Sequence, residues 1–120
     1  MIMFANIVIA LIAALHVYIL VLEMFLWESK KGLRTFGHTP ETAKITKKLA
    51  ANQGLYNGFL AAGLCWGLWL GDAGFSVKMF FLMCIAIAGI YGAITALRKI
   101  LYIQTLPAVV AIALLWCASA

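Results

Sequence analysis

Four apolar runs dominate the chain, and short polar segments separate them. The runs cover about residues 2–27, 49–70, 77–97 and 101–118. A helix needs roughly 20 mostly apolar residues to cross the hydrocarbon core of a bilayer, so each run is long enough to span it once. The pattern predicts an all-α integral membrane protein, a four-transmembrane-helix bundle that forms a single domain over residues 1–120.

The polar segment between the first two runs contains a helix-start signal, Thr39-Pro40-Glu41. Threonine caps helices, proline suits the first helical position, and an acid suits the positive end of the helix dipole. We therefore predict that the second helix begins there and has a cytoplasmic extension before its membrane span. Gly71-Asp72-Ala73-Gly74 predicts a tight turn, and Pro107 predicts either a kink or a first-turn position in the last helix.

Composition supports the membrane assignment, because 66% of the residues are hydrophobic and only 11% are charged. That leaves too little polar surface to coat a water-soluble domain of this length. The three cysteines are isolated within apolar runs, so we expect no disulfide framework, no metal site and no cofactor. The net charge of +5 lies mostly beside one span, which indicates topology or lipid headgroups rather than nucleic acid.

The basic residues concentrate in the loops after the first and third runs. They are Lys30, Lys31, Arg34, Lys44, Lys47, Lys48, Arg98 and Lys99. Both loops lie on one side of a four-span protein, so the positive-inside rule places them in the cytoplasm and both termini outside. Trp27 then marks the inner interface, and Trp69 and Trp116 mark the outer one. The first run lacks a basic start and a cleavage site, which favours a retained helix over a signal peptide.

Small residues form stripes along the second and third helices. The glycines of these stripes are Gly54, Gly58, Gly63, Gly67, Gly89 and Gly92. Lipid provides no hydrophobic drive for helices to associate, so close backbone approach through small residues matters there. The stripes predict tight packing within the bundle. They also leave open that one stripe is the interface of a homo-oligomer, a dimer or a trimer.

Polar residues inside the predicted spans gather toward the cytoplasmic side, and the outer half is almost wholly apolar. They are His16, Glu23, Asn52, Gln53, Tyr56, Asn57, Tyr91, Thr95 and Arg98. A charged side chain in the bilayer core costs about 2.5 to 3.5 kcal/mol on insertion scales, so it usually faces the bundle interior with a partner. We predict a buried polar cluster or shallow pocket, in which Glu23 pairs with Arg98 or accepts hydrogen bonds from the amides of Asn52 and Asn57.

Other interpretations of this cluster stay open. Its members could satisfy one another and only fix helix register, or Glu23 could snorkel to the surface. His16 fits a core histidine bonded to a neighbour as well as a proton relay. The chain has no serine near His16, no second acid beside Glu23 and no phosphate-binding glycine loop. Enzyme activity therefore stays open, and we expect its absence rather than its presence.

Several runs of the sequence resemble one family of small bacterial four-span membrane proteins. They are His16–Trp27, Phe36-Gly37 with Thr39-Pro40-Glu41, Ala51–Gly63 and Ala88–Gly92. The family is that of domain of unknown function 1304, and the resemblance covers nearly the whole chain. It implies a protein of the bacterial inner membrane and no particular activity.

A second resemblance concerns the start of the second predicted span, Lys48-x-x-Ala51-Asn52-Gln53. It looks like the region where membrane-associated eicosanoid and glutathione metabolism proteins carry glutathione-binding residues. Those proteins have four spans, cytoplasmic first loops and trimeric assembly. Their usual asparagine falls on Gly54 and their usual acid on Asn57. The resemblance implies a glutathione-type enzyme, and the two departures favour a non-catalytic lipid- or ligand-binding relative instead.

The main functional expectation is a protein that binds or transports a small amphipathic or polar molecule through the inner-half cluster. Four helices leave little room for a path, so transport would need a dimer or a higher oligomer. The alternatives are a glutathione-family-like membrane enzyme or lipid-binding relative, and a structural accessory subunit. The expected partners are the lipid bilayer, further copies of the chain and a small amphipathic ligand, without nucleic acid.

Overall fold

The computed structural model describes residues 1–119, and the regular secondary structure within them is entirely helical. The five α-helices are α1 (Ile2–Met24), α2 (Lys30–Phe36), α3 (Pro40–Trp69), α4 (Phe75–Thr95) and α5 (Leu106–Ser119). A 3-10 turn over Gly71–Gly74 precedes α4, and a π-helical turn over Leu101–Thr105 leads into α5. The predicted all-α class is confirmed.

Three helical stretches are long and apolar enough to cross a membrane. They are Ile2–Met24, Gly71–Thr95 and Leu101–Ser119. The helix α3 is the longest at 30 residues, but polar side chains reach as far as Asn57 and dilute its apolar run. The protein therefore has helices suited to a bilayer, and the fourth span through α3 stays a prediction.

The start of α3 is where the sequence predicts it. Pro40 is the first residue of the helix, Glu41 lies in its first turn, and the backbone N–H of Thr42 donates to Thr39 Oγ1 at 3.2 Å. The side chain of Thr39 thus satisfies one of the N–H groups that the first turn leaves without an intrahelical acceptor.

The helix α2 lies in the polar segment between the first two apolar runs, where the sequence predicts a loop. Ser29 caps its start by accepting from the N–H of Gly32 at 3.1 Å. Gly37 ends it with φ of +71°, a left-handed conformation that glycine adopts without steric penalty. Ser29 and Gly37 are both visible in the sequence, but a helix of 7 residues is too short to give a recognisable apolar pattern between them.

The end of α4 separates three of the residues predicted for the polar cluster. Tyr91 and Thr95 lie on α4, which ends at Thr95, whereas Arg98 lies in the turn beyond it. Neither glycine nor proline marks this end. Pro107 is the second residue of α5, which continues directly from the π-helical turn, so the choice between a kink and a first-turn position stays a prediction.

The chain divides into two compact units. The first comprises residues 1–13 together with the chain from Ala62 onward, and the second comprises residues 14–61. In the first unit α4 packs against the π-helical turn and α5. Its fully buried side chains include Ala5, Ile9, Leu64, Leu82, Ile85, Ala108 and Ala111. Small and large apolar residues thus alternate in its core.

Glycines allow close approach within the first unit. A Cβ at Gly89 would overlap Thr105, and one at Gly63 would overlap the ring of Phe81. The hydroxyl of Thr105 reaches across this contact and donates to the carbonyl of Ala86 at 3.2 Å. Gly92, by contrast, faces only the flexible side chain of Ile100.

We predict that Gly89→Ala destabilises the protein by about 1 to 3 kcal/mol, because overpacking forces α4 away from Thr105. Gly92→Ala is the matched control, since both changes add one methyl group to the same helix and the side chain of Ile100 is able to move. Thermal unfolding of the two purified variants in a neutral detergent measures the difference. Equal midpoints for the two variants would contradict this packing.

Candidate functional site

A carboxylate and an amide meet in the second unit, between the end of α1 and the middle of α3. Asn57 Nδ2 donates to Glu23 Oε1 at 2.6 Å. Each of the two residues is only 7% exposed. A hydrogen bond to an ionised carboxylate is roughly twice as strong as one between neutral groups. Asn57 is thus one of the predicted partners of Glu23 that lies beside it in the structure.

The small residues of α3 explain how a side chain as short as asparagine reaches α1. A Cβ at Gly54 would lie 2.6 Å from Met24 Cγ and 3.1 Å from Glu23 Cβ, so the two helices are in direct contact there. A Cβ at Gly58 would lie 2.7 Å from Leu20 Cδ1. Asn57 follows Gly54 by about one helical turn and therefore lies on the same side of α3.

His16 is fully buried on α1. It precedes Glu23 by about two helical turns, so both residues lie on one side of this helix. The structure thus places an imidazole, a carboxylate and an amide inside the second unit, which are three of the nine residues predicted for the cluster.

The other predicted residues are exposed. They are Asn52, Gln53, Tyr56, Tyr91, Thr95 and Arg98. On α3 the inward direction is taken by Gly54 and Asn57, which turns the neighbouring polar residues outward. Thr95 donates to the backbone carbonyl of Tyr91 at 2.8 Å and so is satisfied within its own helix. The predicted pairing of Glu23 with Arg98 stays a prediction.

Trp27, which follows the end of α1, packs against the first turns of α3. It is buried, and its ring contacts Phe36 and His38 with centroids 4.8 and 4.6 Å away, so its place at the inner interface stays a prediction. Its indole N–H donates to Thr46 Oγ1 at 3.2 Å. Ala43 on α3 completes this small core. The cluster fixes the connection that holds Glu23 opposite Asn57.

The charged side chains on the surface of this unit have other kinds of partner than the buried Glu23. Lys47 Nζ lies 3.1 Å from Glu28 Oε1, and both side chains are exposed. Such surface pairs contribute little, about 0 to 1 kcal/mol. Lys31 Nζ lies 5.2 Å from the centre of the Tyr18 ring, within the range of a cation–π contact. Within residues 14–61 the ion pair that the structure describes joins Lys47 to Glu28, whereas the partner of Glu23 is the amide of Asn57.

Sequence reasoning missed a buried lysine in the first unit. Lys78 is 2% exposed, and its Nζ donates to Asn6 Oδ1 at 2.9 Å. Lys78 and Asn6 are polar exceptions in a part of the chain that is otherwise mostly apolar. The only hint in the sequence is a lysine and an asparagine that each lie within the first turns of an apolar helix.

No group of three or more His, Cys, Asp or Glu side chains among residues 1–119 could hold a metal ion. The three cysteines of this part of the chain are free thiols.

Comparison with known proteins adds the following. Residues 10–116 match the sequence model of a family described as "Protein of unknown function (DUF1304)". The chain is 31% identical over 102 residues to "Uncharacterized protein YpaA" of Lactococcus lactis subsp. lactis (strain IL1403), covering 82% of this chain and 86% of that protein. No solved structure matches the chain. The matched range includes both Glu23 and Asn57.

Proposed function

The chain belongs to the DUF1304 family, and from that premise we propose that it is a membrane protein that binds a small amphipathic molecule at Glu23 and Asn57. The observation that carries this proposal is the buried hydrogen bond between these two side chains. An ionised carboxylate offers about four lone-pair sites, and the bond from Asn57 occupies one of them. Glu23 therefore retains capacity to accept hydrogen bonds from a ligand.

Electrostatics indicates what kind of group the site would take. A carboxylate within an apolar helix is costly, and a neutral amide satisfies part of its hydrogen bonding without balancing its charge. An ammonium or another N–H donor of a ligand would supply that balance. We therefore propose a ligand with a cationic or strongly donating head.

The surroundings of the pair explain why the ligand would be amphipathic. Leu20 and Met24 of α1 contact Gly58 and Gly54 of α3, on either side of Asn57, and both are half-buried apolar side chains. A molecule that approaches the pair across these side chains needs an apolar body to match them. The head would then reach Glu23 and the body would stay among apolar groups.

The proposal also includes the topology of the chain in the membrane. We propose that α3 crosses the membrane as a fourth span, because its second half is apolar and its first half carries the exposed Lys44, Lys47 and Lys48. Loops one and three would then lie in the cytoplasm, with both termini outside the bacterial inner membrane. Transport of the ligand, rather than its binding, would require a dimer or a trimer.

The crossing of α3 predicts opposite accessibility for its two ends. In a variant with Cys65, Cys84 and Cys117 replaced by alanine, a cysteine at Ala73 should react with a membrane-impermeant maleimide in intact spheroplasts. A cysteine at Glu41 should react only after permeabilisation. Both positions are exposed, so differences in labelling report the side of the membrane. Simultaneous labelling of both positions in intact cells would rule out the fourth span.

The binding proposal predicts that Glu23→Gln weakens binding of decylamine, a single-chain amphipathic cation. Calorimetric titration of the protein in a neutral detergent should give an affinity at least about tenfold lower, since hydrogen bonds to charged groups contribute about 1.5 to 3 kcal/mol. Glutamine keeps the size of the side chain and still accepts the bond from Asn57. Decanol has the same chain length without the charge, so its titration is the control for partition of the probe into the detergent micelle.

Glu28→Gln is the matched control, because Glu28 lies close to Glu23 in sequence but forms an exposed pair with Lys47. Its decylamine affinity should equal that of the unchanged protein. Equal affinities of the unchanged protein and Glu23→Gln would overturn the proposal. The pair would then only lock α1 to α3, as expected for a structural accessory subunit.

A further inference from the structure

A cavity of about 420 Å³ lies within the first unit. It is formed by the first turns of α1, the turn over Gly71–Gly74, the first turn of α4 and the end of α5. Apolar side chains line part of it, among them Ile2, Phe75 and Leu115. The polar lining includes Asn6, Asp72 and Lys78. The cavity thus combines one cation, one anion and an amide with an apolar wall.

The position of Lys78 is determined by packing. A Cβ at Gly67 would lie 2.7 Å from Lys78 Cγ and 3.1 Å from its backbone nitrogen, so the aliphatic stem lies directly on the end of α3. This contact directs the ammonium toward Asn6, whose side-chain oxygen accepts one hydrogen bond. An ammonium carries three N–H donors, so a single bond leaves donor capacity on the cavity side.

Burial makes that capacity significant. Lys78 is 2% exposed, and a buried ammonium is costly unless it is paired and hydrogen-bonded. Asn6 is neutral, and the carboxylate that lines the same cavity belongs to the exposed Asp72. A ligand that brought an anionic oxygen to Lys78 and an ammonium to Asp72 would match both charges.

We propose that this cavity binds a zwitterionic group in which an anionic phosphate or carboxylate lies next to an ammonium. The anionic oxygens accept from the N–H donors of Lys78, and the ammonium faces Asp72. The carbon skeleton of the ligand packs on Phe75 and Leu115. A phosphoethanolamine group has this chemistry, whether it belongs to a lipid headgroup or to a small soluble molecule.

The site is separate from the one proposed around Glu23. The residues that line the cavity belong to the first unit, whereas Glu23 and Asn57 belong to the second. The ligand groups also differ, because Glu23 would take a cation alone. Either proposal could fail without the other.

Native mass spectrometry of the full chain in a neutral detergent tests this inference with three probes. Phosphatidylethanolamine carries both charges in a lipid, phosphatidylglycerol carries the phosphate without the ammonium, and glycerophosphoethanolamine carries both charges without acyl chains. Lys78→Met removes the cation and keeps an unbranched apolar side chain. Lys48→Met is the matched control, because Lys48 is an exposed lysine of α3.

We expect Lys78→Met to weaken binding of the zwitterionic probe at least about tenfold, and Lys48→Met to leave it unchanged. Asp72→Asn should abolish the preference for phosphatidylethanolamine over phosphatidylglycerol. Binding of the lipid alone identifies a headgroup as the ligand, and binding of glycerophosphoethanolamine identifies a soluble molecule. Both outcomes support the site.

Two results would overturn the inference. One is equal binding of the zwitterionic probe by Lys78→Met and the unchanged protein, and the other is equal binding of the two lipids by the unchanged protein. Lys78→Arg retains the charge and should retain binding. If thermal unfolding shows that Lys78→Met does not fold, Asp72→Asn decides, since it changes an exposed residue.

Discussion

A carboxylate that is buried away from water needs a hydrogen-bond partner, and in this chain Asn57 donates to the buried Glu23. The bond requires α1 and α3 to lie close together, and Gly54 lies where any larger side chain would meet Met24. The buried Trp27 donates to Thr46 and so joins the segment after α1 to α3. These contacts together hold the end of α1 against α3.

The same principle organises the first unit. Gly67 admits the stem of Lys78, whose ammonium donates one hydrogen bond to Asn6. Gly89 admits Thr105, whose hydroxyl donates to a backbone carbonyl of α4. Such interhelical hydrogen bonds average about 0.6 kcal/mol in membrane proteins, so their role is to fix register more than to supply stability. At these two contacts a glycine makes room for the residue whose side chain forms the hydrogen bond.

The sequence predicted the helices well and the partners of polar residues only in part. Apolar run length and the Thr39-Pro40-Glu41 signal were sufficient to predict the start of α3. The pattern also showed that Glu23 needs a partner, because the cost of a charge in lipid depends on the residue alone. It did not show which amide faces α1, because that depends on the rotation of α3, and Asn52 is exposed while Asn57 is buried.

Two other features lay beyond the sequence for related reasons. The end of α4 at Thr95 carries no glycine or proline, so the sequence does not show that Arg98 lies beyond this helix. The burial of Lys78 does not follow from the sequence either, since a lysine near a helix end commonly reaches water. Its burial depends on the space that Gly67 leaves, which is a property of the packed helices and not of the local pattern.

Solid-state NMR in lipid bilayers tests the central contact most directly. The chain has three glutamates and three asparagines, so carbon-labelled glutamate with nitrogen-labelled asparagine gives few side-chain pairs to distinguish. The account predicts a short-range dipolar transfer between the carboxyl carbon of Glu23 and the amide nitrogen of Asn57, which disappears in Asn57→Leu. A spectrum of the unchanged protein in which the carboxyl carbon of Glu23 shows no transfer to the side-chain nitrogen of Asn57 would contradict it.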